Sequence, residues 1–399
     1  MTLLNGQPEC GTHHALLEKF SKSEIENFHQ KNNNFLEDWI KNNADIVQNR
    51  SVVTLPIVVH VVYHEDEENI SDEQVFSQID ILNQDFRALN CQIPKIGAPF
   101  DEIVADIEFE FCLANIDPDG NPTNGITRTW SSVPFFSCNT EFLYRTNLGG
   151  KDAWDTNRYI NIWVTKLGPV IGGSVLGCGT FPNSTAPELQ GITISYWAFG
   201  SQGPVIVPNH LGRTATHEMG HYFNLQHVFP NDAPRDPCSD NNDGIIDTPA
   251  QDRTYSQQCP QEPRFSCGTE DMFMNYMNFT ADACMGMFSL GQKERMVAAL
   301  NVLRPGLLES NVCSYTRQEE QFLFEVTPNP SSDFFKLEIK SSTHQVGRLR
   351  VFDPSGKIVI EELYQAVNVP ISLQSLQNGL YFVEFSCAGL RSVSKLVKI

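Results

Sequence analysis

Apolar positions along this chain change period several times, and each change predicts an element. Residues 52–62, Val-Val-Thr-Leu-Pro-Ile-Val-Val-His-Val-Val, form a β-branched run that reads as the first core strand. Residues 71–86 carry apolar side chains at i, i+4 and i+7 behind Ser71 and Gln74, a capping box that opens a helix. Further strands are predicted at 107–113, 159–166 and 192–197, a turn at 120–125, and a glycine-rich loop at 172–182 that ends in an extended piece. A helix over 292–302 is stopped by Pro305 and Gly306. Residues 1–50 are polar and helix-leaning, and the Asn-rich stretch before Arg50 is open to proteolysis. From residue 321 short strands alternate with turn signals at 353–356, 378–379 and 388–389, which indicates a small β-sandwich. The chain therefore divides into 1–50, 51–315 and 321–399.

One helical stretch carries chemistry. His217 and His221 stand four apart and share a helix face, with Glu218 beside them. Two imidazoles so spaced can hold a zinc ion, and the carboxylate can take a proton from water. His227 falls six residues after His221, too far to share that face on a straight helix. A sharp turn at Asn224 would bring it back, because Asn tolerates positive φ. Three nitrogen ligands and an open fourth position describe a catalytic zinc rather than a structural one. A surface or core helix carrying histidines by accident would not need the third at this spacing. His60 and His64, on or near the first strand, read as core or surface histidines.

The chain has 399 residues, net charge −20 and pI near 4.8. The C-terminal part is close to neutral, so the acidity belongs to the region before it. That balance argues against nucleic acid and anionic membranes, and it suits basic peptides or calcium. No apolar run is long enough to span a membrane. Eleven cysteines are many for a cytosolic enzyme and imply an oxidising compartment. The first residues have neither the basic nor the apolar region of a signal peptide. Either a leader has been removed or the true start lies upstream, and the former suits the secreted character of the rest.

Together, the 217–227 stretch and Asn275-Tyr-Met277-Asn-Phe279 resemble the long zinc motif and Met-turn of metzincin peptidases. The words LGRTATHEMGH and DACMGMFSLGQKERM are similar to the pappalysin family over residues 8–310. The resemblance implies an α+β metzincin-like catalytic domain, with a twisted mixed sheet and an active-site helix, between an N-terminal prosegment and the C-terminal all-β sandwich. It also implies hydrolysis of a peptide bond in protein or peptide substrates. Zinc would activate water and the scissile carbonyl, and Glu218 would move the proton to the leaving amine. Met277 would support the site, and Asn224 stands where the family has Gly. Phe279 replaces a Tyr whose hydroxyl steadies the oxyanion in that family, so lowered activity is expected.

Four further expectations come from the resemblance. Cys10, in Cys10-Gly11-Thr12, would occupy the fourth zinc position in a latent form, as the family's prosegment cysteine does; a plain tail cysteine or a partner for Cys91 is the alternative. Cys238 would pair with Cys267 and Cys259 with Cys284, while Cys91, Cys112, Cys138, Cys178, Cys313 and Cys387 are unassigned. Asp243, Asp247 and Thr248 would bind structural calcium, in a loop that resembles an EF-hand but carries Ser239 and Ala250 where that motif needs Asp and Glu. The other reading is a solvated acidic loop. Asp282 would lie at the floor of the pocket after the scissile bond and select Arg or Lys, making Asn49–Arg50 a self-processing site. The strand after the glycine-rich loop would pair with bound peptide.

Residues 325–399, with their Pro-Asn-Pro opening, resemble the C-terminal sorting domain of type IX secretion. That implies a secreted or cell-surface protein of a Gram-negative bacterium and an outer-membrane secretion partner. The rival to a latent secreted zinc endopeptidase is a catalytically weakened metzincin fold serving as a surface binding or adhesion module, suggested by Phe279.

Overall fold

The computed structural model describes residues 9–48, 51–90, 96–138, 140–170, 173–230, 238, 243–313, 324–339, 347–364, 370–387 and 390–399. Two compact units emerge, one of residues 1–88 and 96–315 and one of 89–95 and 316–399. The N-terminal segment is thus part of the first unit rather than a separate body.

In the first unit, the β-branched run becomes β2 (Val53–Tyr63), buried along nearly its whole length. It is buried because it is central. Strands β3 (Phe109–Leu113) and β4 (Ile126–Trp130) pair in parallel with its two halves, and β5 (Ile160–Thr165) pairs in parallel with its other side. The sheet continues through β8 (Ile192–Ser195), parallel to β5, to β7 (Gly173–Gly179), antiparallel to β8. The short β6 (Pro169–Val170) pairs with β7. At the edge, β1 (Glu9–Cys10) lies parallel to β7. A mixed sheet follows, with β7 and the edge strand β1 running against the others of the main path. The strand expected over 192–197 ends early because Tyr196–Ala198 turn into a 3-10 helix.

Helix α4 (Asp72–Phe86) packs on the sheet beside the zinc-motif helix α5 (Arg213–Tyr222). Ser71 caps α4 by accepting from Gln74 N, but the expected return bond is absent. The Gln74 amide instead donates to the carbonyls of Tyr196 and Phe199, at 2.9 and 2.8 Å, tying α4 to the chain leading into the site. Helix α6 (Leu290–Leu303) begins two residues before its expected start because Ser289 caps it with Gln292 in a full capping box. The hairpin β9 (Phe265–Ser266) and β10 (Thr269–Glu270) rises from the loop between α5 and the Met-turn.

The N-terminal segment forms α1 (Thr12–Leu17), α2 (Lys22–Asn42) and α3 (Ala44–Gln48). Only Ile25, His29 and Leu36 of α2 are buried. Ile25 packs with Phe181, and Leu36 packs with Ala298 and Ala299 of α6. Phe28, Trp39 and Ile40 are half-buried against the same clusters and Phe35 is exposed, so the apolar pattern of α2 is mixed.

The second unit is all-β. A three-stranded sheet, β11 (Phe324–Thr327), β12 (Phe334–Ile339) and β15 (Ile371–Ser372), accompanies a four-stranded one, β14 (Ile358–Tyr364), β13 (Gly347–Phe352), β16 (Gly379–Cys387) and β17 (Leu390–Lys398). Alternating residues such as Leu349, Val351, Val383 and Phe385 fill the core with Phe335 and Leu337. Asn329 of the Pro-Asn-Pro opening accepts from Val397 N and donates to the Lys395 carbonyl, fastening the entry of the unit to its last strand. The buried Lys398 ammonium donates to the carbonyls of Leu373 and Leu376.

Candidate metal centre and active site

Helix α5 lies fully buried, and His217 and His221 project from it toward a common point. The helix ends at Tyr222, and Asn224 takes φ +70°, donating from its backbone to the His221 carbonyl at 2.9 Å while Leu225 N donates to Gly220 at 2.9 Å. This turn reverses the chain and delivers His227. Its Nε2 lies 3.2 Å from His217 Nε2 and 3.1 Å from His221 Nε2.

Tautomers decide what that convergence means. His217 Nδ1 is 2.7 Å from the Tyr276 carbonyl, and His221 Nδ1 is 2.7 Å from the Leu225 carbonyl. A carbonyl only accepts, so both rings carry their proton on Nδ1 and present a bare lone pair at Nε2. Burial pushes His217 down to about 4 and His221 well below the ordinary range, so both rings are neutral. Two bare nitrogens thus face His227 Nε2, which can offer at most one N–H to them, whereas a cation satisfies the whole set. The donor set therefore fits Zn²⁺.

Cys10 completes the cluster. The ligand atoms of Cys10, His217, His221 and His227 all lie within 4.8 Å of one another, and all four residues are buried. Strand pairing puts the thiol there: Cys10 is in register with Gly177 of β7, and Gly11 N donates to the Gly177 carbonyl at 2.8 Å. A side chain at Gly11 would meet Val175 at 3.0 Å and the Cys138 sulfur at 3.1 Å, which explains the glycine after the cysteine. Thr12 donates its hydroxyl to Glu218 Oε2 at 2.9 Å and accepts from Gly179 N at 2.8 Å. The other Glu218 oxygen, Oε1, is buried without a hydrogen-bond partner, and burial pushes this carboxyl up to about 8. The glycine-rich stretch expected to be a loop is mostly the strand β7. Its glycines let the backbone lie on α5, since a Cβ at Gly179 would come within 2.5 Å of the Glu218 carbonyl.

Met277 is buried beneath the histidines, and a Cβ at Gly220 would fall 2.4 Å from its sulfur. Gly220→Ala is accordingly expected to lower stability by about 1–3 kcal/mol and weaken zinc retention, read by thermal melting with and without chelator. Phe279 offers no hydroxyl; its ring centroid sits 5.5 Å from that of His217 and 4.8 Å from that of His227.

Asp282 is buried beside this centre, in a cavity also lined by His217, Glu218, Gln257 and Arg213. Its Oδ2 accepts from Leu211 N at 2.8 Å and Arg213 N at 3.3 Å, and burial pushes its carboxyl up to about 6. Behind the cavity, Asp85 of α4 accepts from Thr216 Oγ1 at 2.6 Å and Tyr276 Oη at 2.7 Å, and pairs with Arg213 Nη1 at 3.2 Å. No spacing rule links residue 85 to 276, so this support was invisible in the sequence. Thr12 was legible as part of Cys-Gly-Thr but not as a partner of Glu218.

Of the acidic loop, Asp243 and Thr248 come together, the Thr248 hydroxyl lying 2.7 and 2.9 Å from the two Asp243 oxygens. Asp247 turns instead to α6, accepting from Ser289 Oγ at 2.7 Å and Gly291 N at 2.8 Å. Among the described residues this loop forms no ligand cluster like that of the histidines. Cys238 is joined to Cys267 and Cys259 to Cys284, and two further bridges, Cys112–Cys313 and Cys138–Cys178, complete pairs the sequence left unassigned. Cys10 is a free thiol. Cys91, Arg50 and Ser239 lie outside the described residues. His60 is a core residue bonded to Thr127 at 2.8 Å and Asn161 at 3.0 Å, and His64 bonds the Ser131 carbonyl at 2.9 Å.

Residues 125–301 match the family described as Pregnancy-associated plasma protein-A. Mature mirolysin of Tannerella forsythia, solved in complex with a cleaved peptide, is 43% identical, with a TM-score of 0.60 over 65% of this chain and 95% of that one. The chain belongs to the pappalysin family of metzincins. A promirolysin variant from the same organism is 36% identical, with a TM-score of 0.64 over 75% of this chain and 95% of that one. Among curated proteins, extracellular metalloprotease 1 of Coccidioides posadasii is 36% identical over 151 residues, and the extracellular metalloprotease of Sordaria macrospora is 33% identical over 153. These matches cover 37% of this chain and span about half of each relative's length, 51% and 50%. Residues 325–399 match the secretion system C-terminal sorting domain, so this pappalysin carries a sorting domain behind its metzincin unit.

Proposed function

We propose that this pappalysin is a secreted zinc endopeptidase made as a latent proform, exported through the outer-membrane machinery that its sorting domain addresses. The observation that carries the reading is the convergence of three imidazole Nε2 atoms beside a carboxyl group whose Oε1 has no protein donor. His217, His221 and His227 would hold Zn²⁺, which supplies Lewis-acid activation of water and of the scissile carbonyl. Glu218 Oε1 accepts the proton of the attacking water and passes it to the leaving amine. Substrate backbone takes the edge of β7 that β1 now occupies, and Asp282 receives an Arg or Lys side chain after the scissile bond.

On the same reading residues 1–50 are the prosegment, residues 51–315 the peptidase and 321–399 the sorting unit. Cys10 holds the fourth zinc position until the segment, cut at Asn49–Arg50, leaves. Calcium at the loop of Asp243, Asp247 and Thr248 would brace the start of α6, and its selective chelation should lower the melting temperature while zinc stays bound.

Intact mass followed over time in zinc and calcium tests the proposal. Wild type should shed about fifty residues, and Cys10→Ser should do so several-fold faster because a hydroxyl is a far poorer zinc ligand than a thiolate. Equal rates would remove the thiol from the latency mechanism. Phe279 favours one second reading, a weakened metzincin fold used for adhesion. A chain that stays intact and cleaves no basic peptide after trypsin removes its first fifty residues would give that reading precedence.

A further inference from the structure

We propose that Asp85, which does not line the cavity, sets the basic specificity of the site by neutralising Arg213 and so leaving the charge of Asp282 available to the substrate. The inference rests on the reading above, in which a cationic side chain enters beside Asp282. Arg213 and Asp282 line one cavity, and both are almost completely buried, 4% and 1% exposed. The Arg213 backbone N–H donates to Asp282 at 3.3 Å, and the guanidinium acts electrostatically on that carboxylate. A buried guanidinium so close would cancel the pocket's charge and repel an incoming Arg or Lys.

The guanidinium is held elsewhere. Its Nη1 pairs with Asp85 Oδ2 at 3.2 Å and donates to the Leu211 carbonyl at 3.1 Å, and it lies over the Tyr276 ring at 5.9 Å. Thr216 and Tyr276 hydroxyls, at 2.6 and 2.7 Å, fix the Asp85 carboxylate in place to receive it. Two carboxylates and one guanidinium leave a single negative charge for the group. Because Asp85 is spent on Arg213, that charge is felt at Asp282. Asp85 is a positioning residue for specificity, on a helix that precedes the zinc motif by more than a hundred positions.

The test uses the full-length protein after removal of its first fifty residues, with paired peptides that differ only in Arg or Leu after the scissile bond. The readout is the Arg-to-Leu ratio of kcat/KM. In Asp85→Asn the ratio should fall on the order of tenfold or more, from the uncompensated Arg213 charge. In Asp85→Asn with Arg213→Met the ratio should return toward wild type, because both members of the pair are gone. A merely structural role would slow both peptides alike, leave the ratio unmoved and show no rescue, and that result overturns the inference while leaving the Asp282 specificity standing. A wild type with no preference for Arg overturns both. Should Asp85→Asn not fold, Arg213→Gln alone decides: the ratio should rise, and an unchanged or lower ratio overturns the inference.

Discussion

Glu218→Ala should abolish peptide hydrolysis, by at least about 10³-fold in kcat, while leaving the zinc complement and the fold in place. On the proposed reading this carboxylate carries the proton; among the described residues lining the cavity it is the acid adjacent to a cluster histidine in sequence. Its removal takes the hydrogen bond of Thr12 to Oε2, while Oε1 makes none. His217 and His221 keep their backbone carbonyl partners, so bound zinc measured by atomic absorption should remain near one per chain. The variant should also keep its N-terminal segment indefinitely when incubated alone, and lose it when active wild type is added. A variant that sheds the segment at the wild-type rate would show that the cut is made by another protease.

Asp282→Asn should cost peptides with Arg after the scissile bond about 10²-fold in kcat/KM and leave those with Leu within a few-fold. A desolvated cation without its counter-charge is penalised heavily, whereas an apolar side chain never used that charge. The same group predicts a pH dependence. Burial raises the Asp282 carboxyl to about 6, so it is ionised above that value and neutral below it. Preference for Arg over Leu should therefore be full at pH 8 and fade as pH falls through about 6. The Asn variant should show a flat ratio across the same range. A wild-type ratio independent of pH between 5 and 8 would place the specificity elsewhere.

Local periodicity made the scaffold legible. The run at 52–62 reads as a core strand and Ser71 announces its helix, whereas the expectation misses the cap at Ser289 and places its helix two residues late. The candidate zinc ligands were legible for the same reason: four-residue spacing is a helical fact, and Asn224 is a residue that can take the positive φ the turn requires. What escaped was non-local. Gln74 looked like half of a capping box because its long-range acceptors, the carbonyls of Tyr196 and Phe199, lie more than a hundred residues away. The strand character of 173–179 was masked by glycines that serve close approach to α5 rather than freedom. Asp85, Thr216 and Tyr276 form a buried support whose members share no motif.

The parallel pairing of β1 with β7 makes latency a question of effective concentration. While the chain is continuous, the thiol of Cys10 faces the histidines as an intramolecular ligand, at a local concentration that a short tether holds in the millimolar range. One cut in the Asn-rich link leaves every contact of the segment in place, from Thr12 on Glu218 to Leu36 on α6, but turns it into a separate inhibitor whose occupancy follows its own dissociation constant. Cleavage and activation then become two events rather than one. On the proposed reading, cut chains would stay silent while concentrated and open on dilution.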